Sequence, residues 1–260
     1  LQGYDPRNAA GVHDPLTARC LVLIDNENVM AFVSLDLIGM FKMHLNAIRE
    51  RVAGATGVPP EYLFIHCTHT HSAPEMLSAG LDNANYRKML ADAIGNIVCK
   101  SMDEAVPARA VFSRGVSNVA TVNRRYPNTQ VANKYSTVRF LDDQDATLAT
   151  LINFACHPVV LGYDNRQISA DYVHYLRNSL EDEFGGLALF FSGSLGDINP
   201  PVLHRDEYYR RDGGTFDMAE EFGNTLASHM INPAEMCDTA DIFLRMQSMR
   251  CKINPQFLVA

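Results

Sequence analysis

The sequence predicts an α/β fold, a mixed β-sheet with flanking helices and hairpins and with its active site at the strand ends. Three observations predict it. Apolar runs of strand length alternate with stretches of helical period along the whole chain. Strand–helix–strand units recur, and two pairs of strands are joined by turns short enough for hairpins.

The first hairpin is residues 19–25 and 29–36, joined across Asn26-Glu27-Asn28. Residues 42–54 follow with helical spacing of Met43, Leu45, Ile48 and Val52, ending at Gly54 and Gly57. After the breaker Pro59-Pro60, residues 62–67 read as a buried strand. Residues 83–102 are the clearest helix, with Tyr86, Leu90, Ala93, Ile94, Ile97 and Val98 on one face. Strands are expected at 109–116, 136–141 and 147–156, the last two a hairpin across Asp142-Asp143-Gln144-Asp145. Ser169 is placed to cap a helix over 170–184 that Gly185-Gly186 stops. A buried strand at 187–191, a polar loop at 199–214, a helix at 216–230 and a strand at 241–253 complete the pattern.

Composition narrows the function. The 260 residues carry 22 Lys+Arg against 30 Asp+Glu, a formal charge of −8, and 47% are hydrophobic. Disordered chains hold less apolar content, and a net acidic surface argues against a nucleic-acid partner. No apolar run approaches the roughly 18 residues that a transmembrane segment needs. The six cysteines (Cys20, Cys67, Cys99, Cys156, Cys237, Cys251) form no CxxC pair, which argues against a cysteine zinc site. The chain starts at Leu1 with no leader segment to read, and its compartment and oligomeric state stay open. It reads as one domain over 1–260, expected to be incomplete at both ends.

Chemistry concentrates in three places. Thr68-His69-Thr70-His71-Ser72-Ala73-Pro74 follows a strand, and in continued extended backbone His69 and His71 project to one side. Such a His-x-His pair suits zinc, since neutral imidazole nitrogen is a good ligand, and it is equally open to two satisfied loop histidines. His66 points the other way, toward a core or supporting role. His157 stands where a strand ends at Pro158, as a third ligand, a base or a packing residue. Ser192-Gly193-Ser194-Leu195-Gly196-Asp197-Ile198-Asn199-Pro200 is a small-residue loop after a buried strand. Its first position is Ser192 where a nucleophile elbow has glycine, and prolines follow where that motif needs a helix, which rejects a serine hydrolase. Asp197 is a turn-former or a carboxylate supporting a ligand. Asn123-Arg124-Arg125 is a solvated stretch or an oxygen clamp. Asp36 and Asp171 sit at a strand end and a helix start, where a site could recruit them.

Taken in order, Gly11–Leu16, Ser34-Leu35-Asp36, the Thr68–Pro74 element, Asn123-Arg124-Arg125, residues 153–158, Ile168-Ser169-Ala170-Asp171 and Gly196–Pro200 resemble the neutral/alkaline (non-lysosomal) ceramidase family. The likeness covers most of the chain, corresponds to the family's N-terminal catalytic domain, and is greatest to the shorter bacterial relatives. It implies a zinc-dependent hydrolase that cleaves the amide of an N-acyl sphingoid lipid to a fatty acid and a sphingoid base. By that resemblance His69 and His157 are zinc ligands, His71 faces the substrate, Arg124 approaches it, and Asp197 and Asn199 lie in the active-site loop. The family's ceramidases commonly carry serine at the position of Asn199. They complete their zinc shell with a glutamate and a tyrosine from a downstream segment. Two other readings stay open: a non-catalytic relative serving as a binding or structural module, and a metal hydrolase for another amide or ester.

Overall fold

The computed structural model describes residues 1, 3, 7–25, 28–76, 84–126, 128–201 and 214–239. In chain order the strands and helices are β1 (Gly11–Val12), β2 (Ala18–Asp25), β3 (Asn28–Leu35), α1 (Lys42–Thr56), β4 (Leu63–Cys67), α2 (Ala84–Asp103), β5 (Arg109–Val116), β6 (Val122–Asn123), β7 (Lys134–Leu141), β8 (Thr147–Phe154), β9 (Gln167–Ile168), α3 (Tyr172–Phe184), β10 (Leu187–Ser192), β11 (Ile198–Asn199), α4 (Phe216–Ile231) and β12 (Glu235–Thr239). The expected elements fall close to these bounds. The expected strand at 241–253 and most of the expected polar loop at 199–214 lie outside the described residues. A strand at Glu235–Thr239 was not foreseen, because its polar sequence shows little apolar alternation.

Two sheets carry the fold. One has the order β2-β3-β4, the other β10-β8-β7-β5-β12. Both mix directions as expected: β2 pairs antiparallel with β3, while β3–β4 and β8–β10 are parallel. The parallel pairs are those whose connections hold helices, α1 between β3 and β4, and α3 between β8 and β10.

The sheets face each other, with helices outside both. Alternation along each strand shows this directly. In β2, Cys20 and Val22 join Ile48 and Val52 of α1 and Leu90, Ile94 and Val98 of α2, while Leu21 and Leu23 turn toward the other sheet. In β10, Ala188 and Phe190 join Val173, Leu176 and Leu180 of α3 and Leu226 and Met230 of α4. Leu187, Leu189 and Phe191 point between the sheets. Both faces of β10 are therefore buried, which is why it reads as an unbroken apolar run. Ser34 Oγ donates to the Phe190 carbonyl at 2.7 Å and pins β3 to β10 near their carboxyl ends.

One backbone position is demanding. Gly186 immediately precedes β10 with φ +68°, and a Cβ there would lie 2.4 Å from the Thr147 carbonyl oxygen. Left-handed backbone and a backbone clash coincide, so only glycine lets β10 settle beside β8. Gly186→Ala is expected to lower stability by about 1–3 kcal/mol, the usual range for such strain; urea denaturation checks it, and an unchanged midpoint would refute the packing argument.

Candidate metal centre

The carboxyl ends of β3, β4, β8 and β10 supply the segments that carry and support the three histidines. After β4, Thr68 N–H donates to the Leu35 carbonyl at 2.8 Å and His69 N–H to that of Leu37 at 2.9 Å. The extended backbone expected through the histidine pair is not what forms. His69 adopts φ +74°, a left-handed turn, and the strand ends at Cys67. The turn, rather than strand alternation, brings His69 and His71 together. A non-glycine residue keeps such a φ only where its surroundings hold it.

His69, His71 and His157 each offer a ring nitrogen, and these atoms all lie within 4.8 Å of one another. Ring centroids are 5.2 Å apart for His69–His71, 5.1 Å for His69–His157 and 6.0 Å for His71–His157. Among the described residues this is the group of His, Cys, Asp and Glu side chains able to hold a metal ion. His71 lies within the same cluster.

Backbone carbonyls set two of the tautomers. His69 Nδ1 lies 2.6 Å from the Ile38 carbonyl oxygen and His157 Nδ1 lies 2.9 Å from that of Ile198. A carbonyl oxygen only accepts, so both Nδ1 atoms carry the proton and both Nε2 atoms carry the lone pair. This is the arrangement that supports metal-ligating histidines. Burial holds the His157 ring down to about 4, its bond to Ile198 opposing and the charges of His69 and Arg124 assisting. Burial also lowers His69 and carries His71 well below its ordinary value. All three are neutral at pH 7, as zinc binding requires. On donor type, tautomer and protonation, the set fits zinc.

Arg124, read from the sequence as part of a solvated stretch or an oxygen clamp, lies within electrostatic range of the cluster. Its charge lowers the pKa of all three imidazoles. The β6–β11 ladder pairs Asn123 with Ile198 and Val122 with Asn199. Asp197 Oδ2 accepts from Asn123 Nδ2 at 2.7 Å, and the Asp197 carbonyl accepts from Arg124 N–H at 2.7 Å. The Asp197 carboxylate thus braces the arginine segment. Asn199 is fully buried in the same ladder.

Other expectations resolve as follows. His66 Nε2 accepts from Ser192 N–H at 2.9 Å, so His66 belongs to the β4–β10 seam. Asp171, not Ser169, caps α3, accepting from Tyr172 N–H, while Ser169 Oγ accepts from Asp171 N–H at 2.9 Å. Asp36 binds Arg177 in a buried ion pair. Sequence reasoning missed Arg7, whose Nη2 donates to the His71 carbonyl at 2.8 Å while Nη1 donates to the Asn165 carbonyl at 2.9 Å. It also missed Gly3, with φ +104°, where a Cβ would fall 2.3 Å from His71 Nδ1. Arg177 was legible in principle: it follows Val173 by four residues, on the face of α3 that carries the core.

An α/β sandwich with a largely buried three-imidazole cluster at its strand ends is the class that this fold and site define. The known proteins that this chain resembles include neutral ceramidases. The chain is 24% identical to the neutral ceramidase of Drosophila melanogaster across 74% of its own length and 32% of the relative's. Against that of Drosophila pseudoobscura pseudoobscura the figures are again 24%, 74% and 32%. The crystal structure of neutral ceramidase from Pseudomonas aeruginosa superposes with a TM-score of 0.73 at 21% identity, over 86% of this chain and 40% of that one. A ceramidase complexed with C2 gives 0.70 at 21%, over 87% and 39%. No family model matches the chain. The chain is neutral-ceramidase-like in sequence and shares that fold, and it spans about a third of the length of the fly relatives.

The depressed imidazole pKa values have a measurable sign. A lowered folded pKa means that the unfolded chain takes up the proton first, so this stability is present above about 6.5 and is lost as pH falls toward the folded value. Asp171, raised to about 6 by burial, opposes this between about 4 and 6. In chelator-treated protein, imidazole NMR is expected to show His66 and His157 still neutral at pH 5, each titrating near 4. Midpoints near 6.5 would contradict the burial described.

Proposed function

We propose that this chain carries the zinc-binding heart of a ceramidase-like amide hydrolase acting on an N-acyl sphingoid-type lipid. The observation that carries this reading is the convergence of His69, His71 and His157, all neutral, with Nδ1 of His69 and His157 tied to carbonyls. The likeness to neutral ceramidases supports the substrate class.

His69 and His157 would hold the zinc through Nε2. When bound, the metal supplies an activated water, of pKa about 7, and a Lewis acid for the carbonyl. An amide also needs a proton delivered to its leaving nitrogen. His71 is buried among cationic or cation-forming neighbours that disfavour its protonated form, so a proton placed on it would pass readily to that nitrogen. Arg124 adds a fixed positive charge beside the three rings, where negative charge develops on the carbonyl oxygen in the transition state. The Asp197 carboxylate and the buried Asn199 hold the strand that carries Arg124. A lipid substrate fits a chain with no basic surface excess.

The natural protein containing this chain is expected to hold zinc stoichiometrically and to release fatty acid from N-acyl sphingosine. His69→Ala and His157→Ala are expected to lose the zinc, and His71→Ala to keep most of it while kcat falls by about 100-fold or more. Elemental analysis and a panel of N-acyl sphingoids, N-acyl amino acids and simple esters check this. Absence of zinc overturns the proposal; turnover of another amide or ester alone overturns the substrate assignment; zinc without turnover favours a binding module.

A further inference from the structure

We propose that Arg177 is a positioning residue for the histidine cluster, acting through Asp36 to fix the His69 ring. The consequence for zinc rests on the preceding reading; the consequence for the ring does not.

Arg177 and Asp36 are 1% and 2% exposed. The guanidinium donates twice to the carboxylate, Nη1 to Oδ1 and Nη2 to Oδ2, each at 2.9 Å. The same carboxylate accepts from Thr17 N–H and Thr17 Oγ1 at 2.8 Å each and from Thr68 Oγ1 at 3.3 Å. With so many donors, Asp36 is held ionised, its pKa kept low against the upward push of burial. Replacing a buried ion pair by neutral groups of similar volume often leaves stability unchanged or raises it. Stability alone is therefore a poor reason for this pair, and its surroundings supply a better one.

Asp36 stands among the carbonyls that orient His69. Leu35 accepts from Thr68 N–H, Leu37 from His69 N–H, and Ile38 from His69 Nδ1. Those bonds hold the left-handed turn at His69 and choose its tautomer. The Asp36 side chain is the tether that keeps residues 35–38 in place after β3 ends, and Arg177 anchors that tether to α3. The start of the same helix reaches the chain beside the other two histidines. Ser169 accepts from Thr70 Oγ1 at 2.8 Å and donates to Ser72 at 3.1 Å, on either side of His71. Asp171 accepts from Val160 and Leu161 N–H at 3.1 and 3.0 Å, and Tyr172 Oη donates to the Cys156 carbonyl at 2.8 Å, on either side of His157. Residues 169–177 thus form a common frame for three rings drawn from two different sheets, and Arg177 is its arm toward His69.

The test is the charge-neutral double variant Asp36→Asn/Arg177→Gln in the natural protein, with fold confirmed by circular dichroism and thermal unfolding. In metal-free wild type, long-range ¹⁵N correlation is expected to show His69 protonated at Nδ1 alone. The double variant is expected to show mixed His69 tautomers, with His66, held by Ser192, unchanged. Zinc affinity by chelator competition is expected to fall 10–100-fold, as for lost outer-shell partners of a metal site. A folded variant with the wild-type His69 tautomer overturns the proposal, whatever happens to zinc. A tautomer change in a protein that never binds zinc upholds the positioning role and overturns the zinc reading. If the double variant does not fold, Thr17→Val, which removes one 2.8 Å bond to Asp36 and spares the ion pair, is expected to shift the tautomer in the same direction; no shift there overturns the proposal.

Discussion

Parallel pairing of β3 with β4 and of β8 with β10 is the constraint on which the site depends. A parallel pair leaves both carboxyl ends at the same edge of a sheet. Stacking the two sheets with Ser34 bonded to the Phe190 carbonyl brings both such edges together. Asp36 follows β3, the histidine pair follows β4, His157 follows β8, and Asp197 and Asn199 follow β10. Polar residues cluster there because backbone leaving a sheet must find new hydrogen-bond partners, and buried ones must find them within the protein.

Burial then sets the chemistry. Imidazole in water is partly protonated near neutral pH, whereas these rings lie among cationic neighbours and burial strips much of their hydration. The neutral form wins, and carbonyl acceptors on Nδ1 direct the lone pair of His69 and His157 to Nε2. Neither effect involves a metal: the protein's own packing sets both the protonation and the tautomer of these rings. The cost is borne by the backbone: His69 and Asp171 both hold positive φ, +74° and +59°, at the two segments that deliver and brace the cluster.

The long amphipathic helices and the apolar strands were legible because their signals are local. Leu90, Ile94 and Val98 on α2, or the apolar run of β10, need nothing beyond their own period to declare themselves. The histidine pair, His157 and Arg124 were legible as residue types at strand ends, and their ordered set carried the resemblance to neutral ceramidases. The geometry joining them was less legible. Strand alternation suggested a common side for His69 and His71, but a left-handed turn produces it, and that turn depends on carbonyls of residues 37 and 38, some thirty positions earlier.

What the sequence by itself determined was the alternation of strands and helices, the mixed sheet, and the inventory of imidazoles, carboxylates and guanidinium groups at the loops. These follow from periodicity and turn chemistry, which act over a few residues. Only the tertiary structure decided that two sheets stack, that a left-handed turn rather than strand alternation gathers His69 and His71 beside His157, that Ser192 is the partner of His66, and that Arg177 reaches Asp36 across the core. The physical reason is that desolvation, tautomer choice and ion pairing depend on neighbours distant in the chain, and those neighbours exist only once the strand ends have been brought to one place.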